Sequence, residues 1–182
     1  MFSMFLGVDK ILTLVESKNL VENLCERELN NPEGVGLDLR LGEVFKISGE
    51  SFLGITERET PKVFSIAKFD ERKTSQIAIR PQDFYLVKTV EKVNLPENLV
   101  GILKPRTTLQ RSGLFLRTSQ IAPGYCGELT FGLANVGPCN VTIELGARIV
   151  HIMFSEIKGK AHPYRGQWQK GRVTTEKKEV QV

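Results

Sequence analysis

From Gly34 the chain reads GVGLDLRLGEVFKI, and Leu37, Leu39 and Leu41 alternate with Asp38 and Arg40 at a period of two. That spacing sends apolar and polar side chains to opposite faces of an extended segment, which predicts a half-buried strand ended by Gly42. The same texture recurs in QIAIRPQDFYLVKTVEKVNLP, GELTFGLANVG and NVTIELGARIVHIMFSEI, short β-branched or aromatic runs punctuated by Gly, Pro and Asn. Many short strands with frequent turn residues fold as a sandwich or barrel. Only the start departs from this. VDKILTLVESKNLVENL spaces Ile11, Leu12, Val15, Leu20, Val21 and Leu24 mostly at helical intervals, with Asp9 where a helix N-terminus favours a carboxylate, so one or two short helices are expected. Residues 48–75 are polar and irregular, a long loop or weak strands. No repeat or linker divides the chain. The expected organisation is one domain over residues 1–182: a helical segment to 33, a β-barrel over 34–160 and a closing segment over 161–182. The charged end, TTEKKEVQV, is expected to be mobile when nothing is bound.

Composition narrows the function classes. A hydrophobic share of 41% with 25% charged residues suits a folded globular chain and excludes disorder. The net charge of +4 is mild and favours an anionic ligand without requiring a nucleic-acid surface. The apolar start MFSMFLG is too short for a membrane span and lacks a basic leader and cleavage site. Cys25, Cys126 and Cys139 lie far apart and are odd in number, which reads as reduced thiols in a cytoplasm. There is no phosphate loop of the GxxxxGK[ST] form, no HExxH and no GxSxG. Pro138-Cys139 is not followed by the second cysteine that a zinc deaminase requires, and neither His151 nor His162 has clustered ligands, so no metal site is expected.

The stretch KPRTTLQRSGL over residues 104–114 puts two arginines around a pair of hydroxyls. Guanidinium forks bind phosphate oxygens in bidentate fashion, and hydroxyls or backbone N–H groups complete the coordination of a polyphosphate. A surface turn whose arginines pair with carboxylates would look the same. The order of the surrounding motifs decides between them.

GVGLDLRLGEVF, the arginine stretch, IAPGYCGELTFGLANVG and LGARIVHIMFSEI together resemble the dCTP deaminase and dUTPase superfamily over most of the chain. The helical start with the strand at 38–42 is similar to the deaminase branch; GYCGELTFGLAN, keeping Gly127, Glu128 and Asn135, is similar to dUTPases. The resemblance implies a mainly β fold, a distorted antiparallel β-barrel of the dUTPase-like, jelly-roll or β-clip type with a short N-terminal helical segment. It implies a homotrimer with sites between subunits and a pyrimidine deoxynucleoside triphosphate as ligand, with Mg2+ bound through the triphosphate. Arg106, Thr107, Thr108 and Arg111 would then hold phosphates, and Gln120 and Ile121 would also contact the nucleotide. Tyr125 would lie against the deoxyribose, and Tyr164, Gln167, Gln169 and Lys170, in YRGQWQKGRV, would close over the triphosphate.

Both of the superfamily's usual acids are replaced. Counting from PGYCG, the deaminase glutamate falls on Gly132 and the aspartate that orients water in dUTPases falls on Ala122. The interval FLRTSQ is also shorter than the pyrimidine-binding hairpin of the superfamily. Glu128 is the nearby carboxylate that could orient water, or fix the turn through an ion pair. Three readings follow: hydrolysis of dUTP to dUMP and pyrophosphate, deamination of dCTP, or nucleotide binding without turnover. A carboxylate beside Ala122 favours catalysis, and an apolar space there favours binding.

Overall fold

The computed structural model describes residues 5–181, so most of the apolar MFSMFLG start lies outside the described residues. In chain order the elements are α1 (Val8–Lys18), β1 (Val21–Glu22), α2 (Glu26–Asn30), β2 (Gly36–Ser48), β3 (Phe52–Leu53), β4 (Glu57–Glu59), β5 (Lys62–Lys68), β6 (Gln76–Ile79) and β7 (Phe84–Asn94). There follow β8 (Leu99–Pro105), α3 (Thr107–Arg111), β9 (Leu114–Arg117), β10 (Gln120–Ile121), β11 (Cys126–Asn135), β12 (Val141–Glu144), β13 (Arg148–Glu156), a 3₁₀ turn at Gln169–Gly171 and β14 (Glu179–Val180).

A nine-stranded sheet in the order β10-β8-β13-β2-β7-β11-β9, with β1 added on β7 and β5 on β2, forms the body. All its pairings are antiparallel. The sheet curls into a half-barrel, and the fold is mainly β with an N-terminal helical segment. Leu37, Leu39 and Leu41 of β2, Val87 and Val93 of β7, and Ile152 and Phe154 of β13 fill the interior, with Ile11 of α1 laid against it. Each such side chain contributes about 1.5–3 kcal/mol relative to exposure.

Three details differ from the pattern in the sequence. Gly42 does not end β2 but sits at a register shift against β7, where a Cβ would meet the Thr89 backbone at 2.7 Å, so the missing side chain lets two strands approach. Leu20 and Val21 are not helical: Asn19 takes the left-handed conformation (φ 51°) that stops α1, and Val21 pairs with Val93. Asp38 is 2% exposed, so the polar face of β2 is covered as well.

The C-terminal residues are pinned rather than loose. β14 pairs with β4, and the Thr60 hydroxyl meets that of Thr174 at 2.9 Å and accepts a bond from the Thr175 N–H. The Gln181 side-chain amide donates to the Gly54 carbonyl at 2.7 Å. Residues 48–75 therefore contain three strands, two of them in a small sheet completed by the chain's own end. No helix among the described residues is long and apolar enough to cross a membrane.

Candidate functional site

Pro123 and Gly124 (φ 74°) turn the chain between β10 and β11, and this turn carries Tyr125 inward. The phenol donates to the Glu128 carbonyl at 2.6 Å, and burial pushes its pKa up to about 12, so it stays protonated through the neutral range. Its ring meets that of Tyr164 edge to face, with centroids 5.4 Å apart. Residues 161–181 then run over the turn as a strap. The Tyr164 N–H donates to the Pro123 carbonyl at 2.6 Å, the Cys126 N–H to Gln169 Oε1 at 2.8 Å, and Gln169 Nε2 to the Gly124 carbonyl at 2.9 Å. Contact between turn and strap is closest at Gly127 and Gly171. A Cβ on Gly127 would stand 2.3 Å from the Gly171 nitrogen, and Gly127 holds φ 138°, which only glycine adopts readily.

Beneath the strap lies a cavity of about 550 Å³. Its polar wall comes from Arg117, Thr118, Ser119 and Gln120, its apolar floor includes Phe84, Leu86 and Phe131, and its roof is Tyr164, Trp168, Arg172 and Val173. Ala122 lines it too, and among the described residues no Asp or Glu does. Gly132, across the ladder from Arg117, leaves its place to the Phe84 ring, 3.1 Å from where a Cβ would be. The space beside Ala122 is therefore without a proton acceptor of the carboxylate kind in a single chain.

The arginine turn stands apart from this cavity. No residue of α3 lines it. Arg106 instead forms an ion pair with buried Asp38, whose Oδ2 also meets Arg148 at 2.9 Å and whose Oδ1 meets His151 Nδ1 at 2.9 Å. Glu28 of α2, fully buried, accepts the Asp38 N–H at 2.9 Å and pairs with Arg27. Burial, with Arg148 and Arg27 close by, lowers the pKa of Arg106 from the usual guanidinium value, and burial lowers that of His151. A neutral imidazole there donates Nδ1–H to Asp38. Arg111, by contrast, is exposed at the end of α3 and has no carboxylate partner among the described residues.

Of the residues singled out in the sequence, Gln120, Ile121, Tyr125 and Tyr164 share the cavity wall. Gln169 spends its amide on the turn backbone, Gln167 donates to the Val180 carbonyl, and Lys170 projects to solvent in a left-handed conformation. Glu128 packs its carboxylate against Gly171, outside the cavity, and takes part in no ion pair among the described residues. Sequence reasoning passed over Arg117, Thr130 and Trp168. Arg117 follows three apolar residues, LFL, so no polar–apolar alternation in the sequence marked it, although β9 alternates buried and exposed in the structure. Nothing local marked Trp168, which Arg58 of β4 covers at 4.7 Å from the ring centroid.

The donor set does not form a magnesium site. No group of three or more His, Cys, Asp or Glu side chains is placed to hold a metal ion among the described residues, and none of the cavity's polar atoms is a carboxylate oxygen.

Comparison with known proteins agrees with this architecture. The dCTP deaminase-like family profile matches residues 5–157. A deoxyuridine 5′-triphosphate nucleotidohydrolase of Methanocaldococcus jannaschii is 33% identical over 158 residues, 86% of this chain and 96% of that one. A dCTP deaminase of Thermococcus kodakarensis is 30% identical over 156 residues, 85% of this chain and 88% of that one. In structure, the 2′-deoxycytidine 5′-triphosphate deaminase of Agrobacterium tumefaciens superposes with a TM-score of 0.64 at 17% identity, covering 85% of this chain and 47% of that longer one.

Proposed function

The chain belongs to the dCTP deaminase-like family, and from that premise we propose that it binds a pyrimidine deoxynucleoside triphosphate beneath the strap and acts on its phosphates, splitting dUTP to dUMP and pyrophosphate, rather than on the amino group of cytosine. One observation carries the choice: the cavity floor at Gly132 holds a phenyl ring and no carboxylate. Deamination needs a group there that passes protons to the ring, whereas phosphate transfer depends mainly on placed cations and a positioned water. Arg111, exposed and without a carboxylate partner among the described residues, is the cation we assign to the triphosphate, reaching the cavity of a neighbouring copy in a homotrimer. Magnesium would be supplied with the nucleotide, bound to its phosphates, since no side chain of the cavity among the described residues would hold it. The setting is cytoplasmic nucleotide metabolism.

Hydrolysis in this site is slow. Without an aspartate at Ala122 the attacking water lacks its base, a loss of typically about 10²–10⁴ in rate. The absence of any Asp or Glu from the wall also favours a second reading, a nucleotide-binding protein without turnover. Purified protein with magnesium and dUTP, dCTP, dTTP or UTP separates the readings when pyrophosphate release and base deamination are followed together. Pyrophosphate from dUTP, lost in Arg111→Ala, supports the hydrolase; tight binding with no product supports the second reading; deamination of dCTP sinks both.

A further inference from the structure

We propose that Arg117 selects the base, favouring the keto pyrimidines uracil and thymine over cytosine; the proposal rests on the nucleotide reading above and names its base class. Alternate residues of β9 are buried, so Arg117 faces away from the core and stands at the cavity rim opposite Gly132. A side-chain acid at 132 would sit in the cross-strand position that holds such a guanidinium by charge. Glycine leaves it unheld, and Arg117 has no ion-pair partner among the described residues. The other guanidinium on the wall, Arg172, is held by both carboxylate oxygens of Glu179. On the same wall Thr130 of β11 buries a hydroxyl oxygen that finds no hydrogen-bond partner. Two polar groups of this wall therefore lack a partner from the chain itself.

An arginine side chain offers N–H donors and no acceptor. At ring position 4 uracil and thymine present a carbonyl oxygen, and cytosine presents an amino group, itself a donor. Against Arg117 the carbonyl completes a charge-assisted hydrogen bond; the amino group sets donor against donor, with no carboxylate on the wall to accept from either. The apolar floor of Phe84 and Leu86 accepts the 5-methyl group of thymine without desolvating a charge.

The test measures equilibrium binding of the α,β-imido analogues of dUTP, dTTP and dCTP, which resist hydrolysis, to the full chain and to its R117Q and R117E variants. Wild type is expected to bind the uracil and thymine analogues at least about tenfold more tightly than the cytosine analogue. R117Q, whose amide both donates and accepts, brings that ratio towards one, and R117E reverses it. Because the ratio is the readout, a uniform loss from added negative charge cancels. A wild type that does not discriminate overturns the proposal. So does an equal loss of all three ligands in R117Q with the ratio kept, which places Arg117 on the phosphates and leaves nucleotide binding standing. A wild type that binds none of the three overturns the nucleotide reading itself.

Discussion

Arg106 and Arg111 belong to one short motif and are put to opposite uses. Arg106 is held by buried Asp38, so Arg106→Ala exposes a carboxylate already desolvated among Arg148, His151 and Glu28. Arg148 and His151 still meet that carboxylate, so the expected cost is about 1–3 kcal/mol of unfolding free energy in urea titrations. Arg111→Ala removes an exposed side chain without a carboxylate partner. Its stability should stay within about 0.5 kcal/mol of wild type while triphosphate affinity falls and monophosphate affinity hardly moves, which calorimetry with both ligands would show. His151 supplies the pH dependence of the same cluster. Its folded pKa lies below the usual 6.5, so as pH falls through that range the unfolded chain takes up a proton that the folded chain resists, and stability declines. With two histidines in the chain, a proton NMR titration reads this directly; a midpoint for His151 above 6.5 would contradict it. Both arginines were legible in the sequence as cations. Their division of labour was not, because Asp38 sits in the alternating pattern where a solvated residue belongs, and its burial depends on α2, Arg106 and Arg148 arriving from elsewhere.

At the scale of elements, legibility followed the length of the periodic run. The bodies of β2, β7, β11 and β13 and the helix α1 stand in the sequence as clean patterns, since each has enough residues for a period to show. β3, β4 and β14 are two or three residues long, and β14 meets β4 across a separation of more than a hundred residues, so no local pattern announces them. The strap was recognised as a closing segment, but its fastening to residues 52–60 was invisible for that reason. Its tightest point makes a sharp test. In Gly127→Ala the new methyl group collides with the backbone of Lys170 and Gly171 and the residue must hold a φ of 138°. Amide exchange over residues 164–171 should rise strongly while exchange in β7 and β13 stays slow; unchanged protection of the strap would show that it is held from elsewhere.

For the whole molecule, the cavity and Arg111 of α3 lie on different parts of one chain, so if Arg111 holds the triphosphate as proposed, another copy completes the site. Sedimentation is expected to give a trimer. Co-assembly offers the sharper check: subunits carrying Arg111→Ala, mixed with subunits whose cavity is blocked by Ala122→Trp, should regain binding that neither variant shows alone. Recovery would fail if each chain served its own cavity. Architecture was readable from sequence because the strands alternate; assembly was not, since an apolar strand looks alike in a core and at an interface.

The strap is fastened at both ends by its own chain, by Gln169 at the turn and by β14 and the threonines at β4. If a nucleotide binds beneath it as proposed, entry and exit run on the strap's clock. Occupants of quite different chemistry should share nearly one dwell time, set by how often the strap unzips, and differ chiefly in how fast they are captured.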